Sequence, residues 1–181
     1  SGMLGRSLVT ECKNRQLTTI EVDIQDAPTT LNVKDDNNLI DTIKKYNPDI
    51  LINTVAIINH SICEKNPGES YLVNARPACL LANLARKLKF KFVHISTDHF
   101  FHGDIKKQHS ENATITLLNE YARSKYIAEC FALSNPDSLV VGTNIVGFKN
   151  SDSKPTFVEW IITTLKEEPS INLFSDYYTS S

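Results

Sequence analysis

The sequence predicts an α/β fold, a doubly wound and mostly parallel sheet with helices on both faces. Three observations carry this. Apolar runs of strand length alternate along the chain with longer stretches of helical period. The run "DILINTVA" lacks in–out alternation, as a strand covered on both faces should. The 181 residues are 41% apolar and 22% charged, enough for one cored domain or one domain with the start of a second.

The elements come in this order. The opening "SGMLGRSLV" runs from a G-x-x-G pair into a helix, and "TTIEVDI" (residues 18–24) reads as a strand. "DDNNLIDTIKKYN" places Leu39, Ile40, Ile43 and Tyr46 at helical spacing, with Asp35 or Asp36 as N-cap and Pro48 beyond its end. A strand over residues 49–56 precedes a helix over roughly residues 68–89, whose apolar set is Leu72, Leu80, Leu81, Leu84 and Leu88. "FKFVHIS" is another buried strand, and a polar loop spans about residues 99–116. "LNEYARSKYIAECFALS" is helical and "DSLVVGTNI" is a strand. "PTFVEWIITTLKEE" is an amphipathic helix with Pro155 near its first turn, and "INLF" is a short strand.

Composition excludes several classes. The net charge is −2, and no basic stripe interleaves with aromatics, so neither nucleic acid nor a membrane surface is expected as a partner. Cys12, Cys63, Cys79 and Cys130 are scattered without metal spacing, which reads as free thiols in a reducing cytoplasm. His94 alternates with apolar neighbours and reads as a packed core histidine. His99 and His102 lack ligand-spaced partners, so no metal is expected. The longest apolar runs are far too short to span a bilayer.

In open parallel sheets, ligands bind beyond the carboxyl ends of the strands. That directs attention to Asp23, residues 53–57, residues 96–99 and residues 143–146. Three constellations lie there. Gly2 and Gly5 have the spacing of a dinucleotide-binding turn, where a helix N-terminus meets a pyrophosphate; a flexible start is the plain alternative. Asp23, about 20 residues on, stands where an acidic group binds the adenosine ribose, or else caps a turn. No arginine follows it, which favours NAD over NADP. Tyr121 and Lys125 share one helix face at i,i+4, so the ammonium can lower the phenol's pKa and ready it for proton transfer; the alternative is an exposed pair worth a few tenths of a kcal/mol. Ser96, Thr97 and Asp98 end a buried strand. A hydroxyl there can bond a carbonyl oxygen as it becomes an alkoxide, or simply cap the strand.

Taken in order, "SGMLG", "PDILINTVAIINHSICEKNPGESYLVNARPACLLANLA", "FVHISTDHFF", "NEYARSK" and "VVGTNIVGF" resemble the extended short-chain dehydrogenase/reductase family. The resemblance is strongest to its dTDP-4-dehydrorhamnose reductase and sugar-nucleotide-binding branch. It covers nearly the whole chain, and its specificity lies in S-T-D at a strand end followed by Y-x-x-x-K on the next helix. It implies a Rossmann domain that binds NAD or NADP, with a catalytic triad of Thr97, Tyr121 and Lys125. It places Gly2, Met3, Leu4 and Gly5 along the pyrophosphate, and Asn32 and Val33 near the adenine. Asn53, Thr54, Val55 and Ala56 then line the cofactor cleft, and Asn74 supports the site from below. Asp98, His99, Thr143, Asn144 and Ile145 fall on the substrate side.

The implied reaction is reduction of a nucleotide-activated 4-keto sugar for cell-surface polysaccharide. Two alternatives stand beside it: a sugar-nucleotide epimerase or dehydratase, and a non-catalytic dinucleotide-binding subunit like the regulatory subunit of methionine adenosyltransferase. The reductases usually read R-T-S-W-V-Y-G where this chain reads "GTNIVGF", so Gly142 and Ile145 replace an arginine and a tryptophan. Asn32 stands where an aspartate is usual, and "NTVAII" is bulkier than the family's alanine-rich stretch. The resemblance further implies a piece of a longer protein. Residues 1–150 would be a Rossmann domain lacking its first strand, and residues 151–181 a last helix and strand leading to a substrate domain. A homodimer through the helix of Tyr121 and its neighbour is also implied.

Overall fold

The structure is a computed structural model that describes residues 2–25, 27–101, 109–149 and 155–173. His102, with part of the expected polar loop, and residues 174–181 lie outside the described residues. The chain divides into two compact units: Ser1–Ile20 with Asn144–Ser181, and Glu21–Thr143.

The second unit holds the sheets. Strand β1 (Val22–Asp23) pairs in parallel with β2 (Thr29–Thr30). Strands β3 (Ile50–Asn53), β4 (Lys91–Ile95) and β5 (Leu139–Val141) form a parallel sheet in that order. Asn53 pairs with His94, and Ile95 with Val141, so the three carboxyl ends lie along one edge. Between the strands run α2 (Asp36–Tyr46), α3 (His60–Lys65), α4 (Pro67–Ser70), a π-helical turn at Tyr71–Ala75, α5 (Arg76–Leu88) and α6 (Glu120–Leu133). The fold is a Rossmann-type α/β arrangement, as the sequence predicts.

The local chemistry explains where these helices begin and end. The Asp35 side chain accepts from the Asn38 N–H at 3.0 Å and caps α2, which closes on Asn47 in the left-handed region (φ 40°). Lys89 ends α5 in the same way (φ 66°). Leu39 and Ile43 of α2 and Leu81, Ala82, Leu84 and Ala85 of α5 join Phe90 and Phe92 of the β4 region and Ala128 and Ala132 of α6 in one core. Alanines on the buried faces let α5 and α6 pack closely.

The first unit contains α1 (Met3–Asn14) and α7 (Phe157–Glu167). Gly2 is the N-cap of α1. Thr156 and Glu159 form a capping box on α7: the Glu159 N–H donates to Thr156 Oγ1 at 3.2 Å and the Thr156 N–H donates to Glu159 Oε2 at 2.7 Å.

Several expected elements differ. The strand expected over residues 18–24 shortens to Val22–Asp23, because among the described residues β1 pairs with the two-residue β2 alone. The strand expected over residues 49–56 stops at Asn53, whose side chain folds onto the Val55 N–H instead of continuing the ladder. The single helix expected over residues 68–89 contains the π-helical turn. Helix α3, capped by Asn59, has no counterpart in the sequence reading. Residues 171–173 form no strand, having no ladder partner among the described residues. No helix among the described residues is long and apolar enough to cross a membrane.

Candidate active site

The site is built where β3 and β4 end and α6 begins. Asn119 caps α6, its Oδ1 accepting from the Ala122 N–H at 2.7 Å. The Glu64 carboxylate of α3 accepts from the Glu120 N–H at 2.7 Å, a second partner for the open helix end. The helix so anchored carries Tyr121 and Lys125 one turn apart, both buried at 8% and 2% exposure. They are therefore not the exposed surface pair that the spacing also allowed.

Lys125 reaches into the end of β4. Its Nζ donates to the Ile95 carbonyl at 2.6 Å and lies 3.5 Å from His94 Nε2. Burial pushes its pKa down to about 8, with the Glu129 carboxylate one turn on pulling it back up. His94 is fully buried. Burial, and next the Lys125 ammonium, push its pKa down to about 3, so the imidazole is neutral. His94 Nδ1 sits 3.2 Å from Asn53 Nδ2 on the neighbouring strand. The reading of a packed core histidine agrees with the burial, but alternation with apolar neighbours gives no sign of these two polar partners.

Thr97 lies two residues beyond β4 and is 3% exposed; its Oγ1 accepts from the His99 N–H at 3.2 Å. The Ser96 N–H donates to the Val141 carbonyl at 2.8 Å, tying β4 to β5 beneath it. Asp98 and His99 are half-buried in the turn that follows. His99 meets the Tyr121 ring edge-on with centroids 5.8 Å apart, and His60 of α3 stacks on that ring at 4.9 Å. Sequence reasoning misses His60 along with α3, whose cap at Asn59 is its one signal.

Asn74, placed by the π-helical turn, is buried below. Its Oδ1 accepts from the Ile57 N–H at 2.7 Å, while its Nδ2 donates to the Ile57 carbonyl at 3.1 Å and to Ser124 Oγ at 2.9 Å. Ser124 Oγ in turn donates to the Tyr121 carbonyl at 2.8 Å. The loop after β3 and the first turn of α6 are thereby bonded to one amide.

The remaining expected residues lie on other elements. Asp23 ends β1, its Oδ1 accepting from the Ile24 N–H at 2.7 Å. Asn32 is exposed and bonds the Lys34 N–H at 3.0 Å, with Val33 half-buried beside it. Thr54 is exposed, whereas Val55 and Ala56 are half-buried after β3. Thr143 follows β5 and is half-buried. A Cβ on Gly142 would stand 3.4 Å from the Thr97 carbonyl, an ordinary van der Waals contact. Gly2, Met3, Leu4 and Gly5 form the cap and first turn of α1, and Asn144 and Ile145 open the C-terminal part of that same first unit. No group of three or more metal-ligating side chains occurs among the described residues.

Known proteins place this arrangement in a family. Residues 1–180 match the model of the RmlD substrate binding domain. The probable low-salt glycan biosynthesis reductase Agl14 of Haloferax volcanii is 28% identical over 81% of this chain and 50% of its own length. The spore coat polysaccharide biosynthesis protein SpsK of Bacillus subtilis is 27% identical over 81% of this chain and 51% of its own. The chain thus spans about half the length of these relatives. A dTDP-4-dehydrorhamnose reductase of Bacillus anthracis, solved in complex with NADP, superposes with a TM-score of 0.81 at 26% identity, over 92% of this chain and 57% of that one. The match over nearly all residues, with the fold to go with it, shows that this chain belongs to the RmlD substrate-binding domain family.

Proposed function

We propose that this chain is the dinucleotide-binding part of an NAD(P)-dependent oxidoreductase that reduces a nucleotide-activated 4-keto sugar for polysaccharide biosynthesis. The observation that carries the reading is the burial of Tyr121 and Lys125 on one face of α6, against the carboxyl end of β4, with Thr97 two residues beyond that strand. The residues fit a nicotinamide dinucleotide. The Lys125 ammonium has three N–H donors and the Ile95 carbonyl takes one, which leaves a donor for a ribose hydroxyl. The resemblance assigns Gly2, Met3, Leu4 and Gly5 to the pyrophosphate, Asp23 to a ribose, Asn32 and Val33 to the adenine, and Asn53, Thr54, Val55 and Ala56 to the cleft wall. NAD is favoured over NADP because no arginine follows Asp23.

When bound, the dinucleotide supplies the hydride. Tyr121 gives its phenolic proton to the C4 oxygen of the sugar. The Lys125 ammonium, one turn away, stabilises the phenolate that remains. The Thr97 hydroxyl donates to the same oxygen and orients it. Asp98, His99, Thr143, Asn144 and Ile145 are assigned to the sugar side. Residues 1–150 make up the dinucleotide-binding domain in this reading, and residues 151–181 lead toward the substrate domain.

In the longer protein to which this reading assigns the chain, oxidation of NADH or NADPH is followed by absorbance with dTDP- and UDP-linked 4-keto sugars. Tyr121→Phe is expected to lose roughly 10²–10⁴-fold in rate while keeping its dinucleotide affinity. Tight dinucleotide binding with no turnover of any sugar would turn the assignment toward a non-catalytic binding subunit.

A further inference from the structure

The polar chain behind Lys125 has a defined direction. Asn53 Oδ1 accepts from the Val55 N–H at 3.1 Å, which fixes the orientation of the amide and leaves Nδ2 facing His94 Nδ1 at 3.2 Å. An amide NH₂ only donates, so Nδ1 must offer its lone pair. The neutral ring then carries its proton on Nε2, the atom 3.5 Å from Lys125 Nζ. An N–H set against an ammonium is a mismatch; set against an amine it is a hydrogen bond. Among the described residues, these groups bear on Lys125. Tyr121 and Glu129 lie one turn away on its own helix, and His94 and the Ile95 carbonyl come from β4. Asn53 of β3 and Asn74 of the π-helical turn are neutral amides.

We propose that Asn53 and His94 are positioning residues for Lys125: the Asn53 amide pins the imidazole proton on Nε2, and that N–H favours the Lys125 amine over its ammonium. Strand β3 thereby sets the pH at which the cation beside Tyr121 is lost. The proposal rests on the reading of Lys125 as that cation. It gives Asn53 a task distinct from lining the cofactor cleft, since both ends of its amide are turned to protein partners.

The test reads the ring directly. Nitrogen-15 spectra of histidine-labelled protein are recorded from about pH 5.5 to 9, with Lys125 followed through its ε-carbon. The expected result is a neutral His94 with its proton on Nε2 throughout, and a Lys125 titration near 8. A proton on Nδ1 overturns the proposal without any variant being needed. Asn53→Asp gives Nδ1–H an acceptor and turns the Nε2 lone pair to Lys125. Its Lys125 titration, and the alkaline limb of its rate profile, should rise by about one pH unit. Asn53→Leu, which adds no charge, should move both the same way by less. No movement in either folded variant also overturns the proposal. If Lys125→Met keeps full turnover, the reading of the site fails instead, while the histidine spectrum still judges the relay.

Discussion

His94 combines polar partners on both ring nitrogens with complete burial, and its neutral state has a consequence for acid stability. Its pKa is pushed down to about 3 in the fold by burial and by Lys125, whereas in the unfolded chain it returns to about 6.5. Between those values the unfolded chain binds the extra proton, so stability rises with pH there. The stabilising preference for the neutral ring is complete above about pH 6.5 and drains away as pH falls, by up to about 1.4 kcal/mol per pH unit. Urea unfolding at pH 7, 6, 5 and 4.5 should show this slope in the native protein and a shallower one in His94→Gln. Equal slopes would show that His94 is charged in the fold. Glu129, whose carboxyl burial holds above its usual range, acts with the opposite sign but is common to both proteins and cancels in the comparison. At this scale, sequence shows half of the site. The i,i+4 spacing of Tyr121 and Lys125 is a local fact, visible in one segment. The Asn53–His94–Lys125 chain depends on the β3–β4 register and on how deep α6 sits, and neither is written in any one segment.

Among the elements, α6 and the helical run before it decide whether the site keeps its shape. Asn119 is the side-chain cap that fixes where α6 starts, and hence where Tyr121 stands. Asn119→Ala should cost about 1 kcal/mol of stability. Asn74→Ala should cost more, about 2–3 kcal/mol, because it strips three hydrogen bonds and leaves the Ile57 N–H and carbonyl beside an empty buried position. Chemical denaturation of both variants checks the order, and Asn119→Ala proving the costlier would refute it. Asn74 also marks where element-level reading ends. The apolar set Leu72, Leu80, Leu81, Leu84 and Leu88 indicates a helix, but period alone cannot reveal the extra residue of a π-helical turn, which is what rotates Asn74 toward Ile57 and Ser124. Helix α3 escapes for another reason: at six residues it shows too little of a period to recognise, and only its Asn59 cap betrays it. The cap at Asp35 is legible because capping is chemistry between near neighbours in sequence.

For the whole molecule, the uneven distribution of core between the two units predicts uneven stability. Every residue of the main hydrophobic cluster lies between Leu31 and Ala132, inside the second unit. Helices α1 and α7 of the first unit have no buried residue, and Phe157, Trp160, Ile162 and Leu165 of α7 are exposed by 40–61%. Local unfolding follows buried apolar contact, so α1 and α7 should open at lower free energy than α5, α6 and β4. The chain carries its own reporter: Trp160 is its one tryptophan and sits on α7. Its fluorescence follows the first unit, whereas far-ultraviolet circular dichroism is dominated by the helices of the second. Urea titration should show the fluorescence change at lower denaturant than the loss of helix, a departure from two-state behaviour. Native-state hydrogen exchange should agree, with amides of α1 and α7 losing protection before those of α5. Coincident transitions by the two probes would mean that the first unit unfolds only with the core of the second. The division into two units would then have no thermodynamic counterpart.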